Sequence, residues 1–261
     1  MTDDPDDPDI PPDHPRHDQL VTRHRIEAGV EKGITSLQGL IAEGRGEAFD
    51  YLLGEETIPS AAAAERAAAA ALLRADHPVI SVNGNVAALV PEAVVELAET
   101  VGADLEVNLF NRTAERMAAI AAHLREHGAT AVKGLEADAR IPGLSHERAK
   151  VDADGIYAAD VVVVPLEDGD RAAALKEMGK TEIVIDLNPL SRSARTAAIP
   201  VVDNITRAVP NMSEQARDLA DASAAELEEI VEAFDREEAL TAAERRIREG
   251  VRREEKTGDV P

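Results

Sequence analysis

Four arginines stand beside features that could hold an anion. Arg45 lies between glycines in Gly44-Arg45-Gly46-Glu47, where the missing side chains let the backbone bring the guanidinium close to a ligand. Arg23 follows shortly after Arg16 and His17, in a pattern that reads as a first helix. Arg192 closes the stretch Ile183-Val184-Ile185-Asp186-Leu187-Asn188-Pro189-Leu190-Ser191-Arg192, and Ser193 comes next. Arg207 ends Asp203-Asn204-Ile205-Thr206-Arg207. A guanidinium suits planar, bidentate contacts with phosphate or carboxylate. In the third and fourth stretches an apolar run gives way to a carboxylate, an amide and a cation. In an open α/β sheet, ligands sit just beyond the carboxyl ends of the strands. The chemistry this pattern suggests is the binding and activation of a phosphorylated ligand at the rim of a sheet.

Each feature also has a plainer reading. Gly44-Arg45-Gly46 could be a flexible turn with a surface arginine. Asn83-Gly84-Asn85 follows a strand and precedes a helix, so its N–H groups could approach a phosphate. It would serve equally as a tight strand-to-helix turn. Leu166-Glu167-Asp168-Gly169-Asp170 offers three carboxylates, which could help hold Mg²⁺ or cap the next helix. The seven histidines show no metal-ligand spacing, so no metal ligand is expected from them. No GxGxxG or P-loop signature is present, which weakens a dinucleotide oxidoreductase. A nucleotide-sensing module is the less economical alternative.

Composition narrows the setting. The chain has 261 residues, with 51 acidic against 28 basic and a formal net charge of -23. Such repulsion argues against nucleic acid and anionic membrane as partners. It is tolerable where salt shortens the Debye length, so a halophilic setting is expected. Cysteine is absent, which excludes disulfides and thiolate catalysis. No apolar run approaches the roughly 18 residues of a membrane span. The acidic, proline-rich start is unlike a signal peptide, so a soluble, cytoplasmic protein is expected.

The elements that must position these residues follow from periodicity and punctuation. Residues 1–13 read as a solvated acidic tail. Helices are expected over 19–32, 36–42 and 47–53, with Phe49 and Tyr51 anchoring local packing. A further alanine-rich helix over 60–75 has Ser60 as its cap. Strands are expected at 79–82, 105–109, 131–133, 161–164, 183–185 and 199–202. One helix runs from the Asn83-Gly84-Asn85 turn to about Val101, one from Thr113 to His127, and one over 170–178. Residues 136–155 read as a loop. The whole predicts an α/β fold with a Rossmann-like, mostly parallel sheet covered by helices on both faces. A single domain is expected over 14–212, with helices over 14–75 and the core over 78–212. An acidic helical extension over 213–261 frays from Glu244.

Together these stretches, with His14-Pro15-Arg16, Gly39-Leu40-Ile41-Ala42 and Ala48-Phe49-Asp50-Tyr51-Leu52, resemble archaeal phosphopantothenate synthetase, also called 4-phosphopantoate–β-alanine ligase. The resemblance runs from about His14 to Met212. It implies an ATP-dependent ligase of coenzyme A synthesis that joins 4-phosphopantoate to β-alanine, releasing AMP and diphosphate through an acyl adenylate. It also implies a homodimer and Mg²⁺ accompanying ATP. The family's ATP-binding positions fall on Arg23, Arg45, Asp186, Leu187, Asn188, Arg192, Ser193, Asn204 and Ile205. Arg45 and Arg192 are then the expected catalytic cations. Asn83, Asn85 and Arg207 are expected to bind substrate, the two asparagines at the pantoate phosphate or reacting carboxylate and Arg207 as a further charge-offsetting cation.

Overall fold

The computed structural model describes residues 10–166 and 169–250. Its main sheet is built from β1 (Pro78–Val82), β2 (Asp104–Val107), β5 (Val161–Pro165), β6 (Thr181–Ile185) and β7 (Ile199–Val201). These five strands are parallel and lie in the order β2-β1-β5-β6-β7. Continuous apolar runs are what a parallel sheet buried on both faces requires. Register makes the two faces explicit. Leu105, Ile80, Val163, Ile183 and Ile199 stand in line across the sheet and point into the larger core. Their neighbours Val79, Val162 and Val184 belong to a second core on the other face. The fold is therefore the expected α/β class, with a fully parallel main sheet.

The chain leaves β1 for β2 on one side, then returns to place β5, β6 and β7 on the other. The strand order reverses between β1 and β5, which opens a crevice beyond their carboxyl ends. Helices α1 (His17–Glu31), α2 (Leu37–Leu53) and α4 (Gly84–Leu89) gather at that end. Helices α3 (Pro59–Arg74), α5 (Pro91–Val101), α6 (Ala114–Glu126) and α9 (Ile205–Asp218) contribute to the larger core. On the second face lie α7 (Gly169–Glu177) and a small antiparallel pair, β3 (Ala139–Arg140) with β4 (Lys150–Val151). Short α8 (Arg192–Thr196) joins β6 to β7, and α10 (Ala224–Ala233) and α11 (Arg236–Glu249) pack on α3.

Several local expectations change. The two helices expected over 36–53 are one, α2, running unbroken through Gly44 and Gly46. Ser36 caps it by accepting from Gly39 N–H. The Gly44-Arg45-Gly46 stretch is thus helical rather than a turn. Ser60 is not a cap, because Pro59 already occupies the first helical position of α3. The helix after Asn83 breaks at Val90, since Pro91 starts α5. Residues 131–133 make only an isolated bridge from Lys133 to Glu106, cut short where Gly134 turns to φ 91°. The expected loop 136–155 contains the β3–β4 pair and a 3-10 turn. Phe49 packs with Leu53 and Ile58 as expected, but Tyr51 is 41% exposed. Helix α11 continues through Glu244 to Glu249 because Leu240 and Ala243 are buried against Leu53, Leu187 and Val202. Glu167 and Asp168, and the tails expected over 1–9 and 251–261, lie outside the described residues.

Candidate active-site cleft

A cavity of about 700 Å³ opens at the reversal between β1 and β5. Its floor is built from strand ends, and its side wall is α2. At the end of β1, Asn83 accepts from Asn85 N–H at 3.0 Å and Val86 N–H at 3.1 Å, capping α4. Its amide donates to Pro165 O at 2.9 Å, fastening β1 to the end of β5 across the crevice. Asn85 donates to Gly39 O at 2.9 Å and accepts from the Thr35 hydroxyl at 2.5 Å. A methyl at Gly39 would overlap Asn85 Oδ1 and Thr35 Oγ1, so this junction between α2 and α4 requires glycine. Leu166, at the end of β5, holds a left-handed φ of 52° beside the cavity.

The loop after β6 is organised by Asp186. Its carboxylate accepts from Asn188 N–H at 2.9 Å and from the Ser191 hydroxyl at 2.6 Å. Ser191 in turn caps α8 through Ala194 N–H. Burial raises the Asp186 pKa, while those bonds and the charge of Arg45 oppose the rise. Arg192 projects from this loop, 76% exposed, and pairs with Asp170 at 2.8 Å. Leu187 and Ile205 supply apolar wall, and Ser193 and Asn204 also line the space. Arg45 lines the cavity from α2 and has no ion-pair partner among the described residues.

The structure brings Arg45, Asp186, Leu187, Asn188, Arg192, Ser193, Asn204, Ile205, Asn83 and Asn85 around one cavity. It does not bring Arg23 or Arg207 there. Arg23 borders a separate cavity of about 360 Å³ on the other side of α2. Its guanidinium is held by Glu47 through bonds of 2.8 and 2.6 Å. Arg207 lies behind the wall, clasped by Asp50 at 2.6 Å and Asp203 at 2.6 Å. Burial works against its charge, but those two carboxylates outweigh burial and raise its pKa. Arg207 therefore serves the fold rather than the cavity. Asn204 is also spoken for: it donates to Asp50 at 2.8 Å and accepts from Thr206 N–H at 3.1 Å, capping α9. Its side chain holds α9 against α2.

Sequence reasoning missed three basic groups on the cavity. Arg116 comes from α6, and His146 and Arg148 come from the segment before β4. Arg116 donates to Asn111 O at 3.0 Å and Ile34 O at 3.3 Å, while its Nε has no hydrogen-bond partner. His146 stacks against Phe110 with ring centroids 5.4 Å apart. The signal for them was weak: a helical arginine and a stretch without periodicity. Glu43, from the same face of α2, was missed as well.

In chemical terms the cleft is a cationic rim inside an acidic protein. Four arginines reach it, with Asp170, Asp186 and Glu43 between them. Anionic groups can be held at several points along the strand ends while Leu187, Ile205 and Phe49 cover apolar parts of a ligand.

Comparison with known proteins gives this geometry a context. Residues 60–250 match the family described as phosphopantothenate/pantothenate synthetase. The match includes α10 and α11, which the sequence resemblance had left outside. The chain is 58% identical over 228 residues to a 4-phosphopantoate–β-alanine ligase of Thermococcus onnurineus, covering 87% of each. It is 54% identical over 237 residues to the ligase of that name from Methanosarcina mazei, covering 91% of this chain and 93% of the relative. The Thermococcus kodakarensis ligase is 55% identical over 241 residues, covering 92% of each. With the strand-end cleft and its arginines in the same chain, these matches show that the protein belongs to the phosphopantothenate/pantothenate synthetase family.

Proposed function

We propose that the protein condenses 4-phosphopantoate with β-alanine, using ATP and releasing AMP and diphosphate. The observation that carries this reading is Arg45, a guanidinium on the cavity wall that feels the charge of Asp186 but makes no direct ion pair among the described residues. In a chain of net charge -23, a cation without a direct ion pair at a strand-end cleft is suited to an incoming anion.

A carboxylate acylates poorly because its oxygen leaves poorly. In the proposed first step a carboxylate oxygen of 4-phosphopantoate attacks the α-phosphorus of ATP. The bond to diphosphate breaks, and diphosphate leaves with the electron pair. The acyl adenylate so formed has AMP as a good leaving group. Arg45 and Arg192 would stabilise charge building on the diphosphate, and preorganised donors of this kind supply much of an enzyme's rate. Arg116 and Arg148 stand on the β2 side of the sheet and Arg192 follows β6. Three inter-strand steps separate β2 from β6, roughly 14 Å along the rim. That spacing suits the substrate's own phosphate at one end and the triphosphate at the other. Asp186 and Asn188 would meet ribose or adenine, and Leu187 and Ile205 the apolar parts. Asn83 and Asn85 would act chiefly by fixing the cleft, with their backbone facing the second substrate.

Mg²⁺ fits as the companion of ATP. It is commonly held by one or two carboxylates together with phosphate oxygens. Asp170 and Asp186 line the cavity and would serve by exchanging present partners, Arg192 and the Ser191 hydroxyl, for the ion; no group of three or more metal-binding side chains is clustered among the described residues. We also read the protein as a cytoplasmic homodimer. Leu37 and Ile41 support the pairing, being 68% and 74% exposed on α2. Arg23 would approach nucleotide only if a second subunit covered its cavity. No helix among the described residues is long and apolar enough to cross a membrane.

The test is a coupled assay for diphosphate and AMP. Release of both should require 4-phosphopantoate, β-alanine and ATP for full turnover. Formation of ADP and phosphate, or turnover that ignores 4-phosphopantoate, would contradict the proposal.

A further inference from the structure

The second half of the reaction needs a group that receives the β-alanine ammonium and takes a proton from it. Three carboxylates line the described part of the large cavity. Two are engaged. Both oxygens of Asp186 accept hydrogen bonds, and Asp170 pairs with Arg192. The third, Glu43, has no arginine, lysine or histidine paired with it among the described residues.

Glu43 also has an unusual position. It lies on α2 between the large cavity and the smaller one, and lines both. The residue is buried, with 9% exposure. It follows Gly39 by one helical turn and precedes Arg45 by two residues. Two positions apart on a helix, Glu43 and Arg45 leave α2 in different directions, yet both line the large cavity, so a cation at Glu43 and the anion at Arg45 would share one space. Helix α1 presents Arg23 and Glu27 across the smaller cavity, and Arg23 is occupied by Glu47. The larger cavity is also lined by the charged side chains Arg45, Arg116, Arg148, Arg192, Asp170 and Asp186.

We infer that Glu43 is the residue that binds the β-alanine ammonium and accepts its proton, an assignment that rests on the ligase reading. In balance, one proton passes from the ammonium to the Glu43 carboxylate. The free amine then attacks the acyl carbon and forms the C–N bond. The C–O bond to AMP breaks, and AMP leaves with the electron pair. The second proton leaves nitrogen as the adduct collapses and goes to solvent in the open cavity. The environment favours this role: burial first, then the charges of Glu47 and Asp50, push the Glu43 pKa up to about 7, with only the Asn85 amide acting against them. A base works best when its pKa lies near the working pH.

The experiment separates the two half-reactions of Glu43→Gln. Exchange of labelled diphosphate into ATP, dependent on 4-phosphopantoate, reports adenylation and an intact fold. Amide formation reports the β-alanine step. Losing the base should lower kcat/KM for β-alanine by about 10²- to 10⁴-fold, with exchange changed by less than about threefold. Hydroxylamine, uncharged at neutral pH, should still trap the acyl group in the variant. The wild-type profile of kcat/KM for β-alanine should rise with pH through about 7, and the variant should lose that limb. Equal loss of exchange and amide formation, or a β-alanine kcat/KM within about threefold of wild type, would overturn the assignment while leaving the ligase reading in place. Absence of diphosphate exchange in the wild-type enzyme would overturn both.

Discussion

Arg207→Met tests whether this arginine belongs to the fold or to a ligand. Methionine keeps a flexible apolar stem and deletes the guanidinium. In the native protein that group bridges Asp50 and Asp203, whose side chains are 9% and 1% exposed. Its removal leaves two buried carboxylates without their cation. Breaking one side of a buried ion pair typically costs about 3–5 kcal/mol. The 26% exposure of Arg207 and the bonds Asp203 keeps to Thr57 and Asn204 N–H place the expected loss near the low end, about 3 kcal/mol. For a chain of this size each kcal/mol moves the melting midpoint by about 2–4 °C, giving a fall of about 6–12 °C. Circular dichroism melts in molar KCl would read it. Arg207→Met/Asp50→Leu should recover part of the loss, since one stranded carboxylate is gone. A midpoint within about 2 °C of wild type, combined with weakened 4-phosphopantoate binding, would refute the structural role and return Arg207 to the site.

Other outcomes rest on the same structure. Arg192→Ala should raise the apparent Kd for ATP on the order of tenfold, the scale of one charge-assisted hydrogen bond; unchanged ATP dependence in a titration would remove Arg192 from the site. Glu106 accepts from Ile156 N–H at 2.6 Å and Asp152 N–H at 3.1 Å, yet burial lifts its pKa to about 7. Because the folded state holds that proton longer than the unfolded chain, this contribution is complete below about pH 4.5 and is lost as pH rises to about 7. Over that window wild-type stability should fall by about 3 kcal/mol more than that of Glu106→Gln, and parallel denaturation curves would contradict the assignment. Raising KCl from millimolar to molar should raise the melting midpoint by screening the excess acid; a falling midpoint would count against a halophilic chain.

The strands were readable because their signal is local. Val161–Pro165 and Thr181–Ile185 are both rich in β-branched residues, and the polar residues that follow, Glu167 beyond Leu166 and Asp186 directly after Ile185, mark their carboxyl ends. Asp186, Asn188 and Asn204 could therefore be placed at a sheet rim. Their task there was less visible. Each uses side-chain atoms to organise its own turn or the next helix, so the residue types that suggest ligand contacts also build the cleft. Helix α2 was misread because glycine weakens a helix in isolation by about 1 kcal/mol. Tertiary contact decided otherwise, with Gly39 tucked under Asn85 and Leu187 over Gly46. The partners of Arg207 lie 157 and four residues away, and no spacing rule announces the distant one. Arg116 and Arg148 carry no distinguishing spacing in the sequence, and only the fold sets both on the cavity.

The most direct test of the central claim is AMP formation by Arg45→Ala at saturating substrates. Gly44, Arg45 and Gly46 lie inside a continuous helix, and alanine favours helix, so the fold should persist. Removing one charge-stabilising donor costs about 2.7–4 kcal/mol, and AMP formation should fall about 10²- to 10³-fold with an unchanged melting midpoint. A folded variant that forms AMP at the wild-type rate would contradict it.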